Sequence, residues 1–189
     1  MESLDGYLRD DDVVVSDTGC PLAWAMQTIP FKGRFIHAFN QTPMGYGLGA
    51  AIGAAGAHGG RVVLLTGDGG LSECVNELAT IAKHKMNIKI ILFNNLGHQM
   101  CRQTQRQWLQ GIYHGTSPKD LATPDFKAVA EAYDIPVTSL YGTFNIPGRT
   151  FCELMIDQEQ GVLPQVRFGK SIEHGDPMLS DEEMAQVMS

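Results

Sequence analysis

Two short polar runs carry the chemistry this chain can offer, Gly67-Asp68-Gly69-Gly70 and Asn94-Asn95-Leu96-Gly97. Asp68 brings an anionic carboxylate oxygen and Asn95 a neutral amide oxygen. A loop carbonyl beside them would complete a hard oxygen set suited to Mg²⁺ or Ca²⁺, with coordination places left for phosphate oxygens. Gly69 and Gly70 let backbone N–H groups approach an anion closely at the start of a following helix. The combination points to a metal diphosphate. A Gly-Asp-Gly run alone marks turns of many kinds, so the assignment rests on the spacing of the two runs and on the elements between them.

Those elements follow from hydrophobic patterning. Val13-Val14-Val15 ends at Ser16-Asp17-Thr18-Gly19, Val62-Val63-Leu64-Leu65 ends at Thr66 and the Gly67 run, and Ile88 to Phe93 ends at Asn94. Each burst is continuous and rich in β-branched residues, as parallel strands buried on both faces require. From Leu71 to Met86, residues Leu71, Cys74, Val75, Leu78, Ile81 and Ala82 fall on one stripe, which predicts a helix and therefore a β-α-β unit. A right-handed crossover sets both strand tips side by side on one edge, so Asp68 and Asn95 are expected to converge. Gly45 to Ala57 reads as a helix of small residues and Phe126 to Tyr133 as another, with strands at Pro136 to Leu140 and Phe151 to Ile156. The expected fold is α/β, a doubly wound, mostly parallel sheet flanked by helices over residues 1–163. Residues 164–189 are polar and Pro-interrupted and read as a C-terminal arm, with a short helix at Asp181 to Met188.

Composition narrows the partners. The 189 residues are 43% hydrophobic and 19% charged, a globular balance, and the formal charge is −7. There is no basic surplus to neutralise nucleic acid or an anionic membrane. The N-terminus lacks the pattern of a signal peptide, and no run approaches the roughly 20 apolar residues of a membrane span. Cys20, Cys74, Cys101 and Cys152 are too scattered for a zinc or iron–sulfur site, and a reducing cytoplasm is expected. His37, His58, His84, His114 and His174 show no metal-ligand spacing; His98 alone adjoins the second run. Trp24 and Trp108 are expected in helices that anchor the core or a subunit interface. The glycines of Gly45 to Gly56 lack the acidic residue of a dinucleotide fingerprint and are read as helix packing.

The Gly-Asp-Gly run, the helix and strand after it and the paired asparagines together resemble the pyrophosphate-binding, C-terminal domain of thiamine-diphosphate-dependent enzymes. Ser16 to Cys20, Met44 to Leu48, Arg102 to Gln105 and Phe168 to Glu173 are similar to the acetolactate-synthase-like branch. The resemblance implies that Asp68 and Asn95 bind Mg²⁺ by side chain and Gly97 by its main-chain carbonyl. It assigns Gly67, Gly69, Gly70, His98, Gln99 and Met100 to the thiamine diphosphate site. Thr18, Gly19 and Cys20 would touch the diphosphate from the first strand end. Met44 would lie under the bent cofactor, and the Thr42 carbonyl would accept from its 4′-amino group, with Pro43 biasing Thr42 toward extended backbone.

In such enzymes the cofactor takes up the electrons released when a 2-oxo acid loses CO₂. The glutamate that activates it belongs to a separate pyrimidine-binding domain, for which these residues leave no room. The implied protein is a split subunit similar to the β subunit of sulfopyruvate decarboxylase, acting on a small 2-oxo acid by decarboxylation with or without carboligation. It would need a pyrimidine-domain chain, in a hetero-oligomer or as a homodimer within one. The alternative is a non-catalytic cofactor-binding paralogue serving assembly or regulation. A 2-oxoacid:ferredoxin oxidoreductase subunit is disfavoured by the cysteine spacing.

Several positions depart from the family pattern. Gly70 replaces a serine, and Glu73 stands where an apolar residue is usual. Glu73 is read as a solvated or helix-start glutamate, with proton donor or substrate discriminator as the alternative. Asn40 and Gln41 replace small glycines, and His98 and Gln99 replace Tyr and Gly; all four are candidates to line a polar substrate pocket. Tyr141 to Arg149 is too short for the family's helix and is expected to cross as a loop.

Overall fold

The three apolar bursts form strands β1 (Val13–Ser16), β3 (Val62–Gly67) and β4 (Ile88–Asn94) in a computed structural model that describes residues 1–166, 169–171 and 175–187. With β2 (Arg34–Ile36) and β5 (Thr150–Met155) they build a five-stranded sheet, all parallel, in the order β2-β1-β3-β4-β5. Alternate residues of each strand feed opposite faces. Val15, Leu64, Ile90 and Leu92 pack beneath α3 (Tyr46–His58), α5 (Leu78–Lys83) and α7 (Phe126–Ala132). Val14, Val63, Leu65, Ile91 and Phe93 pack under the other layer, which holds α1 (Glu2–Asp5), α2 (Cys20–Thr28) and α8 (Leu140–Asn145). The sheet is thus doubly wound, and its chain order reverses between β1 and β3, where such folds open a crevice at the carboxyl ends of the strands.

The expected helix from Leu71 to Met86 is broken into α4 (Asp68–Ser72), a 3₁₀ turn (Val75–Glu77) and α5. Its buried stripe is as read, with Leu71, Leu78 and Ile81 in the core. Gly69 and Gly70 weaken the first turn, the Ser72 hydroxyl bonds back to the Asp68 carbonyl at 2.9 Å, and Cys74 leaves helical geometry at φ −140°. Local side-chain bonds of this kind compete with the helix ladder. Pro136 to Leu140 is not a strand: within it only Val137 bridges to Phe151. Ser139 instead caps α8 by accepting from the Gly142 N–H, so the connection expected as a loop holds a short helix. β2, three residues at the sheet edge, carries too little pattern to be legible.

Next come α6 (Gln99–Trp108), a two-stranded antiparallel pair β6 (Gln165–Val166) and β7 (Gly175–Asp176), and α9 (Asp181–Val187). Phe168, Ile172, Glu173, His174 and Met188 lie outside the described residues. Among the described residues no helix is long and apolar enough to cross a membrane.

Lys89 fixes the α8–β5 connection to the sheet. It is 2% exposed on β4, and its ammonium donates to the carbonyls of Ile146 (2.6 Å) and Gly148 (2.5 Å), satisfying groups left open where α8 ends. Burial, then repulsion from Arg61 and Arg9, pushes its pKa from the ordinary 10.5 down to about 8. Below pH 8 the folded and unfolded chains both hold this proton; between about 8 and 10.5 the unfolded chain holds more, so stability rises with pH there. Lys89→Met removes that contribution. Urea unfolding at stepped pH should show the wild-type free energy gaining on the Lys89→Met free energy between these two values, and parallel curves would contradict the assignment.

Candidate functional site

Three strand ends and the turns that leave them build one cleft. At the end of β1, Gly19 adopts φ 92°, ψ −152°, a conformation open only to glycine, and turns the chain into the first turn of α2 at Cys20 and Pro21. At the end of β3, Gly67 is extended and Asp68 begins α4. At the end of β4, the Asn94 side-chain oxygen accepts from the Leu96 N–H at 2.9 Å, Leu96 turns left-handed (φ 57°), and the Gly97 N–H donates to the Asp68 carboxylate at 2.7 Å. The register Gly67↔Phe93 sets these last two tips at the same height. Asp68 and Asn95 therefore lie on neighbouring strand ends, both buried.

The cleft holds about 460 Å³, and every residue expected at the thiamine diphosphate site lines it. Thr18, Gly19 and Cys20 come from the β1 turn; Gly67, Asp68, Gly69 and Gly70 from the β3 turn; Asn95, Gly97, His98, Gln99 and Met100 from the β4 turn. Thr42 and Met44 arrive from the segment before α3. Thr42 is a correction. It is left-handed (φ 46°), not extended, because its N–H closes a turn onto the Ala38 carbonyl at 2.8 Å, and this overrides the bias from Pro43. A β-branched residue in that region is strained. Of the four departures expected to line a polar pocket, His98 and Gln99 do; Asn40 and Gln41 are exposed and absent from its walls. Glu73 is exposed, as a solvated residue would be, but stands at the end of α4 and not at a helix start; it lines a smaller recess of about 170 Å³ that shares Asp68, Gly69, Gly97 and His98 with the cleft. An apolar wall of Leu22, Trp24, Phe39 and Phe93 was not anticipated from the sequence.

Backbone is bared where the glycines stand. A Cβ on Gly97 would run into the Thr116 carbonyl, and one on Gly69 would meet the His98 imidazole and the Met44 sulfur. Gly70 has a different neighbour: a Cβ there would strike the Asp17 carboxylate and crowd the Thr66 hydroxyl. A side chain at this position would have to displace the Asp17 carboxylate. Asp17 accepts from the Thr18 N–H (2.8 Å) and from the Thr66 hydroxyl (3.3 Å) and faces the N–H groups of Gly45 and Gly47, which sets the end of β1 against the start of α3. Burial pushes its carboxyl up, and these donors pull it back. Nothing in the apolar pattern marks that role.

Electrostatics and unmet hydrogen bonds define what the cleft can hold. Burial pushes the Asp68 carboxyl up, against the donors Gly97 and Gly69, and among the described residues no Lys or Arg pairs with it. The Asn95 side-chain oxygen is buried without a partner, and so is the Gln99 amide nitrogen. A buried acceptor beside a buried carboxylate suits a cation; a buried donor at the start of α6 suits an anion. Among the described residues no three His, Cys, Asp or Glu side chains cluster as metal ligands, so an ion here would depend on amide, carbonyl and ligand oxygens, the preference of Mg²⁺. Burial, helped by the charge of Asp68, pushes the Cys20 thiol up to about 12, so it is a neutral lining group and no nucleophile.

The family model for the thiamine pyrophosphate enzyme C-terminal TPP binding domain matches residues 17–145, from the tip of β1 through α8. The chain belongs to that family. It is 32% identical over 176 residues to the acetolactate synthase large subunit of Porphyra purpurea, covering 87% of this chain and 30% of that protein. To the isozyme 1 and isozyme 2 large subunits of Escherichia coli K12 it is 31% and 33% identical, covering 83% and 85% of this chain. The chain spans about 30% of the length of these relatives.

Within this thiamine pyrophosphate domain the Arg102 to Gln105 block braces the cleft from behind. Gln103 holds the Val162 backbone in both directions (3.0 and 2.8 Å), Arg102 pairs with Glu159 and stacks on Tyr113, and Gln105 binds His114 and Thr116. Thr116 in turn accepts from the His98 N–H. Trp24 spans both parts, with its indole N–H on the Gly161 carbonyl and its ring edge-on to Phe93.

The packing around Gly70 is directly testable. Gly70→Ala forces Asp17 off its donors and should cost about 1–3 kcal/mol of unfolding free energy, the usual range for overpacking. Gly69→Ala, which meets only side-chain ends that can swing aside, should cost less. Equal denaturation midpoints for the two variants would show that Asp17 does not fill that space.

Proposed function

We propose that this domain binds thiamine diphosphate with Mg²⁺ and forms the pyrophosphate-binding half of a 2-oxo acid decarboxylase, with or without carboligation to a second carbonyl. The observation that carries the reading is the pair of orphaned atoms in one cleft, Asn95 Oδ1 and Gln99 Nε2, beside the buried Asp68 carboxylate. Asp68 and Asn95 hold the ion by side chain and Gly97 by its carbonyl. Thr18, Gly19, Cys20, Gly67, Gly69, Gly70 and Gln99 receive the diphosphate, largely through backbone N–H groups. Thr42, Met44, His98 and Met100 meet the remainder of the cofactor. When bound, thiamine diphosphate supplies the electron sink for the carbanion left as CO₂ departs. The protein's own part is to bind, orient and exclude water: Phe93 and Trp24 close the apolar wall, and Thr42 lines the cleft with its backbone held left-handed.

Phe39 (55% exposed), Met44 (45%) and Met100 (43%) ring that mouth with apolar surface unsuited to water. A pyrimidine-domain chain is the partner we assign to it, in a hetero-oligomer or around a homodimer of this chain, bringing the glutamate that the cofactor's aminopyrimidine needs. Residues 1–163 carry the site, and residues 164–189 serve as an arm. A cytoplasmic setting agrees with four free cysteines.

Calorimetry of the full chain mixed with a cognate pyrimidine-domain chain tests the reading. Mg²⁺-dependent uptake of thiamine diphosphate is expected, and Asp68→Ala should weaken it by more than the roughly 10- to 100-fold typical of outer-sphere changes. The same mixture should release CO₂ from 2-oxo acids. Uptake without turnover would favour the assembly or regulatory module, and no uptake at all would overturn the site.

A further inference from the structure

The paired asparagines do different work. Asn95 has a side-chain oxygen with no partner, whereas Asn94, 3% exposed, uses both ends of its amide. Its oxygen accepts from the Leu96 N–H at 2.9 Å, and its nitrogen donates to Glu153 Oε1 at 2.7 Å. Glu153 stands on β5 in register with Leu92, so it shares a face of the sheet with Leu92 and Asn94. Its side chain is 9% exposed, and its other oxygen lies 3.4 Å from the Lys127 ammonium on α7. A carboxylate in this position displaces the apolar side chain that the edge of the core would otherwise bury there.

The Asn94 amide has two orientations, and only one serves the turn. With its nitrogen toward Glu153, its oxygen is left to hold the Leu96 N–H; flipped, it would set oxygen against carboxylate and N–H against N–H. That bond pins Leu96 in its left-handed conformation (φ 57°), which carries Asn95 to the cleft and delivers the Gly97 N–H to Asp68. Resting on the reading of the cleft as a Mg²⁺ diphosphate site, we infer that Glu153 is a positioning residue: through Asn94 it holds the Asn95–Gly97 turn in the geometry that receives the ion. It touches neither ion nor cofactor. What the turn needs from it is an acceptor oxygen, and the exposed Lys127 pair adds little.

The test uses the full chain with its complementary chain and measures binding rather than turnover. Mn²⁺ replaces Mg²⁺, and its uptake with thiamine diphosphate is followed by electron paramagnetic resonance. Glu153→Ala should weaken Mn²⁺ uptake by about 10- to 100-fold, the range for groups that orient metal ligands. Glu153→Gln keeps the acceptor and should stay within about threefold of wild type, as should Lys127→Ala. Hydrogen exchange of the cofactor-free chain gives a second readout, with the Leu96 and Gly97 amides losing protection in Glu153→Ala and keeping it in Glu153→Gln. Should Glu153→Ala fail to fold, Asn94→Asp substitutes for it, since it keeps the acceptor for Leu96 but sets a carboxylate against Glu153; the same loss is expected. Wild-type uptake matched within threefold by Glu153→Ala, or by Asn94→Asp in its place, sinks the inference and leaves the site standing, as does a Gln variant as weak as Ala. Absence of uptake by the wild-type assembly sinks the site and the inference with it.

Discussion

The hydrogen bond from the Gly97 N–H to the Asp68 carboxylate joins two strand ends, and the site exists only while those ends stay level. The level is set far from the cleft, by the parallel register of β3 and β4 through residues buried on both faces. A slip of one residue would turn Asp68 toward the opposite layer and put Val63 and Leu65 where Leu64 belongs. The apolar strands thus enforce polar geometry at their tips. Burial disfavours the Asp68 charge, the backbone donors at Gly97 and Gly69 offset part of that loss of water, and a cation in the cleft would offset more.

Space is the second constraint. The turns after the strands approach one another so closely that side chains are excluded at Gly70 and Gly97, and the chain bends through left-handed backbone at Thr42 and Leu96. Non-glycine residues keep such conformations only where their surroundings over-determine them, and such strain gathers at functional sites. Here the surroundings are visible: the Ala38 carbonyl holds Thr42, and Asn94 holds Leu96. The hydrogen bonds of Gln103 to Val162 and of Gln105 to His114 and Thr116 tie the neighbouring segments to α6, so the cleft walls rest on elements joined to one another.

Much of this was legible in the sequence, and the reasons are physical. Continuous β-branched runs can be little else than buried parallel strands, and the two-strand crossover is right-handed almost without exception, so the meeting of Asp68 and Asn95 followed from pattern alone. The cleft residues were legible through family motifs attached to those strand ends. What could not be read were features decided by single hydrogen bonds and by local sterics. The Ser72 hydroxyl and Cys74 break a helix whose stripe is otherwise continuous, Ser139 caps a helix in a stretch that reads as strand and loop, and the turn to Ala38 overrides Pro43. Lys89 is hidden inside an apolar run, yet it is the group that ties β4 to the end of α8. Asp17 and Glu153 carry no periodic signal at all, because their value lies in which backbone or amide group happens to face them.

The division of labour between Asp17 and Asp68 shows how an acidic protein can present a site to an anion. Both carboxylates sit just past neighbouring strand ends at the switch point of the sheet, and both are buried. Asp17 faces inward, where the N–H groups of Thr18, Gly45 and Gly47 and the Thr66 hydroxyl surround it, and it does not line the cleft. Its charge is therefore taken up by the start of α3, a favourable place for an anion, and contributes little repulsion where a diphosphate would lie. Asp68 keeps only backbone donors on one side and opens toward Asn95 on the other, so its charge is available to an ion. Gly70 lies between the two. The missing side chain at that position is what lets Asp17 reach the α3 amides, so the departure from serine is better understood as the condition for that inward turn than as the loss of a phosphate contact.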